Sequence, residues 1–310
     1  MLAMRLIFLG TPAFAVATLE RIVGAGHELT AVITQPDRPS GRGQHSAASP
    51  VKQAAQRLNL PVYQPERIRR PDAIDHLRTL GAEAMVVVGY GQIIPQAVID
   101  LAPLGIINVH ASLLPKYRGA APIQWAIVNG ESRTGVTTMR IDAGLDTGDM
   151  LLKAETDIGA EENAIELGAR LAALGAGLLV QTLEGIERGS IAPERQDGAA
   201  ATYAPLLKKE DGLIDWKQPA QAIHNRVRGL QPWPGAYTTV RGSSLHIWKS
   251  RVHEGTATPG HFVGLKPPAI GCGAGILELV EVQLEGRKRM PAGDFVNGQR
   301  LTIKDMLGEC

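Results

Sequence analysis

Cysteine is nearly absent from this chain of 310 residues, which contains only Cys272 and Cys310. Two thiols so far apart in sequence do not make a disulfide framework or a four-thiolate zinc site. The scarcity of cysteine favours a reducing compartment, and we therefore expect a cytoplasmic protein without a structural metal.

Long apolar runs are also missing. The N-terminal stretch MLAMRLIFLG is too short to span a bilayer and has no signal-peptide cleavage pattern, so we expect no contact with a membrane. With 44% hydrophobic and 20% charged residues, the composition is that of an ordinary soluble globular protein. The length predicts two domains, each large enough to bury its own core.

A strong excess of charge is lacking as well, because the formal net charge is only +1. The two parts of the chain differ, however. Lys and Arg number 18 against 21 Asp and Glu before residue 200, and 14 against 10 after it. A basic C-terminal part suits an anionic partner such as a nucleic acid, although scatter on a solvated surface explains so small an asymmetry equally well.

What the sequence does contain is an alternation of strand and helix patterns over residues 4–188. Short β-branched runs such as RLIFLG, LTAVITQ and AMVVVGY are separated by amphipathic stretches. This order predicts an α/β domain with a doubly wound, mainly parallel sheet. Beyond an aperiodic segment, short strands such as SLHIWKS and ILELVEVQL predict a small β-barrel. We therefore expect a catalytic domain at 1–189, a linker at 190–207 and a β-barrel domain at 208–310.

A nicotinamide cofactor is not expected on this sheet. The turn after the first strand reads GTPAF, from Gly10 to Phe14, and has one of the three glycines of a dinucleotide fingerprint. The second strand runs into Thr34 and Gln35, where a dinucleotide enzyme has an acidic residue. A tight turn that begins a helix explains this motif without any ligand.

Three polar groups stand out as candidates for catalysis. Asn108 and His110 alternate at the end of the strand GIINVH and therefore project from the same face. The segment DAGLDTGD, from Asp142 to Asp149, follows another strand and lacks the spacing of a calcium loop. Because ligands of open α/β sheets bind at the carboxyl ends of the strands, we expect one of these carboxylates to lie near Asn108 and His110.

An amide, an imidazole and a carboxylate, with no Ser or Cys nucleophile beside them, suit direct attack by an amine on a carbonyl carbon. The amide and a protonated imidazole donate hydrogen bonds to the developing oxyanion. The carboxylate orients the imidazole and helps to remove the amine proton. No covalent intermediate with the protein is needed.

The motifs NVHASLLPKYRGAAPIQW, DAGLDTGDML, QPDRPSGRG and PWPGAY together resemble the folate-dependent formyltransferase family, and in particular its members that act on initiator methionyl-tRNA, over essentially the whole chain. The resemblance implies a Rossmann-like formyltransferase domain followed by an OB-like barrel. It also implies Asn108, His110 and Asp146 as the catalytic residues, with Asp146 in that role instead of Asp142 or Asp149.

The same resemblance implies the binding residues for both substrates. The folate pocket comprises the segment Ser112, Leu113, Leu114 and Pro115 together with the turn Gly89, Tyr90 and Gly91. The loop Gln35–Lys52 enters the acceptor end of the tRNA, with Arg42 and Arg38 as its contacts, and Lys208 and Lys209 of the second domain bind RNA. Relatives commonly carry lysines after GRG, whereas this chain has Gln44, His45 and Ser46, which weakens the phosphate grip of the loop.

The resemblance therefore implies transfer of the formyl group of 10-formyltetrahydrofolate to the amino group of methionine on initiator tRNA, by a monomeric enzyme that needs no metal. Two alternatives remain. A formyltransferase acting on a nucleotide-linked amino sugar shares the catalytic residues, although the GRG loop and DAGLDTGD speak against it. An RNA-binding module on an inactive scaffold would have no reason to keep Asn108, His110 and Asp146 together.

Overall fold

The computed structural model describes residues 3–40 and 45–308, except the side chains of residues 39, 40, 45 and 46. The strands in this part of the chain are β1 (Arg5–Gly10), β2 (Glu28–Ile33), β3 (Arg38–Ser40), β4 (His45–Ala47), β5 (Val62–Tyr63), β6 (Ala84–Val88), β7 (Ile106–His110), β8 (Arg118–Gly119), β9 (Arg133–Arg140), β10 (Met150–Asp157), β11 (Tyr203–Ala204), β12 (Ala236–Val240), β13 (Ser243–His253), β14 (Phe262–Leu265), β15 (Pro268–Gly271), β16 (Ile276–Leu284) and β17 (Met290–Pro291). The α-helices are α1 (Val16–Gly24), α2 (Pro50–Arg57), α3 (Pro71–Thr79), α4 (Gln96–Ile99), α5 (Pro122–Val128), α6 (Ala164–Glu187), α7 (Ala220–Gly229) and α8 (Ala292–Gly298).

A seven-stranded sheet in the order β10-β9-β7-β6-β1-β2-β5 forms the first part of the fold. Strand β1 pairs in parallel with both β2 and β6, and β6 pairs in parallel with β7, whereas β7 and β9 are antiparallel. The chain runs from β1 towards β5 on one side and then returns to continue from β6 on the other. The order therefore reverses between β1 and β6, which is the point where doubly wound sheets form their ligand crevice.

Apolar side chains bury the centre of this sheet. Every residue of β6 and of β7 is buried, including the polar Asn108 and His110 at the end of β7. Continuous β-branched runs are typical of strands covered on both faces. Helix α6 lies close to the sheet, since a Cβ placed on Gly175 would come within 2.8 Å of Val109. The absence of a side chain at Gly175 allows this close packing.

Helix α6 begins with a capping box. The Asn163 side chain accepts hydrogen bonds from the backbone amides of Ile165 and Glu166, and the Glu166 carboxylate accepts one from the Asn163 amide. By length and composition alone, α6 is the one helix of the described residues that could cross a membrane. Half of its apolar 18-residue stretch is buried in the protein. Leu171 and Leu179 are completely buried, as in the core helix of a globular domain.

A second sheet contains six strands, with the order β12-β13-β16-β15-β14 and with β17 beside β16. All its described pairings are antiparallel. Helices α7 and α8 contribute Ile223, Val227 and Phe295 to the apolar cluster on this sheet. A mainly parallel α/β sheet followed by a small antiparallel β domain confirms the predicted fold class.

The contacts of the chain divide it into two compact units. One comprises residues 1–119, 134–157 and 168–203, and the other comprises 120–133, 158–167 and 204–310. The second unit therefore includes two short segments, 120–133 and 158–167, from the part of the sequence predicted to form the first domain. The domain limits at 189/190 and 207/208 remain a prediction from sequence pattern.

We expect the protein to lose stability as the pH falls from 7 to 5. Burial lowers the pKa of His224 below its ordinary 6.5, a change that the nearby Glu161 partly opposes. Burial likewise lowers the pKa of His27 and of His246. Because the unfolded histidines take up protons below about pH 6.5 while the folded ones resist, the free energy of unfolding falls through this window.

Thermal melts between pH 7 and pH 5 test this expectation. Tm should fall over the range, and His224→Gln, which removes one of the three titrating groups, should make the fall shallower. The carboxylates whose pKa is lowered, such as Asp215 with an ordinary value of 3.8, respond only at lower pH. If Tm falls with pH as steeply in His224→Gln as in the parent protein, His224 does not contribute to the loss of stability.

Candidate active site

Asn108 and His110 lie at the carboxyl end of β7, where the register places Asn108 beside Val87 of β6 and Met139 of β9. Only 9% of Asn108 and 6% of His110 is exposed. A polar side chain on a strand that is otherwise apolar must find a partner or pay for its desolvation. Asn108 finds its partner in the loop after β9, and His110 finds one in the segment after β7.

The His110 ring is fixed by a backbone carbonyl. Its Nε2 lies 2.9 Å from the carbonyl oxygen of Tyr117. Because a carbonyl only accepts hydrogen bonds, Nε2 carries the proton. Its Nδ1 lies 3.7 Å from Oδ2 of Asp146, a distance that is attractive when the ring is protonated. The ring nitrogen left for a substrate is therefore Nδ1.

Asp146 occupies the turn of the DAGLDTGD segment with φ of 51°, a left-handed conformation that Asp adopts more readily than most residues. Its Oδ2 accepts a hydrogen bond of 2.8 Å from the amide of Gly119, and its Oδ1 lies 3.5 Å from Nδ2 of Asn108. The carboxylate thus faces both residues of β7. The structure brings the three predicted catalytic side chains together where the carboxyl end of β7 meets the loop after β9.

Asp142 and Asp149 of the same segment have other surroundings. The Asp142 carboxylate accepts hydrogen bonds from the Thr147 hydroxyl and from the Gly144 amide, which close the loop on itself. Asp149 is exposed to solvent. Of the three acids, Asp146 is the one placed beside the imidazole, as the sequence resemblance implies.

The segment Ser112, Leu113, Leu114 and Pro115 continues directly from β7. The Thr137 hydroxyl donates a hydrogen bond of 2.7 Å to the carbonyl of Ser112 and accepts one of 3.1 Å from the amide of Leu114. Ser112 and Leu114 are buried, whereas Leu113 and Pro115 are partly exposed. Thr137 therefore anchors this segment next to the catalytic residues.

The turn Gly89, Tyr90 and Gly91 follows β6 and lines a cavity of about 690 Å³. The rest of the lining comes from the ends of β1 and β2 and from the segment at the start of α2, and it includes Thr11, Gln35, Arg38 and Ser49. This cavity lies at the point where the strand order reverses. Because β6 is the neighbour of β7, the turn after β6 leaves the sheet at the same edge as Asn108 and His110.

The backbone of this turn is well fixed. The Thr11 hydroxyl and the side-chain amide of Gln35 both donate hydrogen bonds to the carbonyl of Tyr90, at 3.0 and 3.2 Å. Gly89 has φ of 57°, and a Cβ there would lie 2.9 Å from the Pro12 ring. Among the residues that the structure describes, the buried Tyr90 hydroxyl has no hydrogen-bond partner, and burial raises the pKa of this group.

The predicted RNA contacts lie on different elements. Arg38 begins β3 and lines the cavity, and its side chain is exposed. Lys208 and Lys209 are exposed at the start of a short 3-10 helix in the second unit. Arg42 lies outside the described residues. Across residues 3–40 and 45–308, no group of three His, Cys, Asp or Glu side chains is arranged to hold a metal ion.

The sequence did not single out Gln196, which contacts the Asp146 loop, or Arg118, which contacts Gln196. Gln196 lies in the aperiodic segment after α6, and its Nε2 donates hydrogen bonds of 2.8 Å to the carbonyls of Asp146 and Gly148. Its Oε1 accepts hydrogen bonds from the guanidinium of Arg118. A lone polar residue in a segment without periodicity gives no signal in a single sequence.

Comparison with known proteins finds similar sequences over both parts of the chain. Residues 4–183 match the family model described as formyl transferase, and residues 206–300 match the formyl transferase C-terminal domain. A protein of Solibacter usitatus named methionyl-tRNA formyltransferase is 73% identical over 99% of both chains. A protein of the same name from Koribacter versatilis is 57% identical over 98% of this chain and 99% of its own.

The fold is also similar to that of solved structures. A crystal structure of the N-formyltransferase from Helicobacter canadensis, in complex with folinic acid and dTDP-3-aminofucose, superposes with a TM-score of 0.65. The match covers 90% of this chain and 99% of that one at 20% identity, which shows a shared fold. With both of its parts matched by formyltransferase models and with these close relatives over its full length, the chain belongs to the formyltransferase family, among the methionyl-tRNA formyltransferases.

Proposed function

We propose that this protein transfers the formyl group of 10-formyltetrahydrofolate to the amino group of methionine esterified to initiator tRNA, and so supports translation initiation in the cytoplasm. The observation that supports this most is the meeting of Asn108, His110 and Asp146 at one edge of the sheet. The resemblance to methionyl-tRNA formyltransferases over nearly the full length points to the same acceptor.

The reaction needs no covalent intermediate with the protein. The amine nitrogen attacks the formyl carbon, and the carbonyl oxygen becomes an oxyanion. The C–N bond to the folate then breaks, the folate nitrogen takes up a proton, and the amine loses one. Asn108 Nδ2 and a protonated His110 Nδ1 donate to the oxyanion. Asp146, whose Oδ2 lies 3.7 Å from Nδ1, stabilises the positive charge of the protonated ring and takes part in moving the amine proton.

The binding residues are assigned on the same basis. We propose that the turn Gly89–Gly91 and the segment Ser112–Pro115 bind the reduced folate, because both leave the sheet at the edge that carries the catalytic residues. Arg38, Arg42, Lys208 and Lys209 would contact tRNA. The enzyme acts as a monomer with neither a metal nor a nicotinamide cofactor.

Purified protein incubated with 10-formyltetrahydrofolate and charged initiator tRNA tests the proposal. Formyl-methionine should appear on the tRNA at a rate that depends on both substrates. A parallel reaction supplies a nucleotide-linked amino sugar, the kind of compound present in the Helicobacter canadensis structure. Formylation of the sugar in preference to the charged tRNA would reject the proposed acceptor, and no transfer to either would reject the proposed activity.

Removal of basic side chains from the second unit should weaken the use of tRNA. We expect Lys208→Ala and Lys209→Ala each to raise KM for charged tRNA at constant KM for folate. Each should reduce the slope of log affinity against log salt by about one. Lys304→Ala, which removes another exposed lysine of the same unit, serves as the control. If the salt slopes of Lys208→Ala and Lys209→Ala equal that of Lys304→Ala, Lys208 and Lys209 do not contact the tRNA.

A further inference from the structure

We propose that Gln196 is a positioning residue for the formyl transfer reaction, because its side-chain amide holds the Asp146 loop in the conformation that presents the carboxylate to His110. The inference rests on the proposed function and extends it to a residue outside the predicted catalytic set. It assigns a role to a segment that the sequence pattern treats as a linker.

The amide of Gln196 bridges two carbonyls in the catalytic loop. Its Nε2 donates to Asp146 and Gly148, which flank Thr147, at 2.8 Å each. Only 8% of Gln196 is exposed, so these hydrogen bonds face little competition from water. The backbone of Asp146 is in a left-handed conformation, which persists for a residue with a side chain only where surrounding contacts hold it.

Arg118 fixes the orientation of that amide. Its Nε and Nη2 donate to Oε1 of Gln196 at 3.0 and 2.8 Å, and only 6% of Arg118 is exposed. Because guanidinium groups only donate, the oxygen of Gln196 must face Arg118 and the NH₂ group must face the loop. A glutamine satisfies both sides at once, whereas a carboxylate at this position would satisfy Arg118 and repel the two carbonyls.

Two hydrogen-bonding groups, the side chain of Gln196 and the backbone amide of Gly119, hold different parts of Asp146. The amide of Gly119, the residue after Arg118, donates to Oδ2 of Asp146. Gln196 holds the backbone of Asp146, and Gly119 holds its side chain. Loss of the backbone support lets the carboxylate move away from the imidazole, and displacement of a catalytic group by about 1 Å costs roughly 10²-fold in rate.

The test uses Gln196→Glu and Gln196→Met in the full-length enzyme. Gln196→Glu keeps an acceptor for Arg118 but makes the interaction with the two loop carbonyls repulsive. Gln196→Met keeps the approximate length of the side chain but removes the two N–H groups that donate to those carbonyls. For both we expect kcat to fall by about 10²-fold, with KM for 10-formyltetrahydrofolate and for charged tRNA within threefold of the parent values. Rates are measured over pH 6 to 9, so that a shifted optimum cannot be mistaken for lost turnover.

Gln231 offers a matched control in the other compact unit. It is also 8% exposed, and its Nε2 donates to the carbonyls of Val227 and Trp248. Gln231→Glu and Gln231→Met should reduce Tm about as much as the Gln196 variants while keeping kcat. A kcat within threefold of the parent in the Gln196 variants, or an equal loss in the Gln231 variants, overturns the inference.

A third variant covers the case in which the Gln196 changes prevent folding. Arg118→Lys retains the charge but donates from a single atom, so the amide of Gln196 loses its fixed orientation, and we expect kcat to fall about tenfold at constant KM. Unchanged kcat there overturns the inference. Parent enzyme that forms no formyl-methionyl-tRNA rejects the proposed function itself, a result separate from any comparison among variants.

Discussion

Asp146→Asn should reduce kcat by about 10³-fold with little change in stability. Asn adopts the left-handed backbone conformation as readily as Asp, and its side-chain oxygen can still accept the hydrogen bond from the Gly119 amide. The substitution therefore removes the negative charge beside His110 and little else. Single-turnover formylation of charged tRNA at saturating folate, together with thermal melts, measures the two effects separately.

Asp149→Asn is the control for this prediction. It makes the same chemical change three residues further along the same loop, at an exposed side chain. We expect its kcat to remain within about threefold of the parent enzyme, since surface substitutions away from the site have small effects. Similar losses in both variants would mean that the net charge of the loop matters and that Asp146 has no particular role.

His110→Gln should reduce kcat by about 10³-fold as well. A glutamine can keep a donor for the carbonyl of Tyr117, which the Nε2 of His110 contacts in the structure. It offers no counterpart to Nδ1, the nitrogen that faces Asp146. Because the oxyanion exists only in the transition state, KM for both substrates should change little.

Two comparisons sharpen the result for His110. His110→Ala should lose as much activity as His110→Gln but more stability, because it leaves the carbonyl of Tyr117 without this partner. His224→Gln, a change at a buried histidine of the other unit, should lower stability and leave kcat in place. Turnover within tenfold of the parent in His110→Gln would assign the chemistry to another residue.

Strand periodicity predicts the core of the fold well. The runs that become β1, β6 and β7 are mostly apolar and, apart from the exposed Arg5, buried, as is typical of central strands. Strand β10 at the edge of the sheet is not among the predicted strands. After its first two residues its side chains are alternately partly buried and exposed, with several charges, and an edge strand carries a weaker apolar signal.

The grouping of the proposed catalytic residues follows from sequence to a similar extent. Alternation along β7 predicts that Asn108 and His110 share a face, and the acidic loop after β9 supplies a carboxylate. Periodicity alone does not choose among the three acids, because the choice depends on how the loop folds. In the structure a left-handed turn at Asp146 and the Gly119 amide direct that carboxylate towards β7.

The support of the active site is not visible in the sequence pattern. Gln196 and Arg118 are separated by 78 positions, and their hydrogen bond depends on the folded path of both segments. Thr202, in the same aperiodic segment, accepts a hydrogen bond from the Tyr117 amide through its hydroxyl. Such contacts have no period and no local signature, so only coordinates reveal them.

Gln196 and Thr202 lie late in the sequence of the first unit, and this position has a consequence for biosynthesis. The proposed catalytic side chains have all left the ribosome once residue 146 has emerged. The residues that hold their surroundings are made about fifty residues later. Glu194 bonds Met150, Gln196 bonds the Asp146 loop, and Thr202 bonds Tyr117. At about 5–20 residues per second, the synthesis of these fifty residues takes several seconds. On the proposed role of Gln196, the activity appears only when the first unit is complete, and a fragment ending at residue 189 would retain Asn108, His110 and Asp146 without the segment proposed to align them.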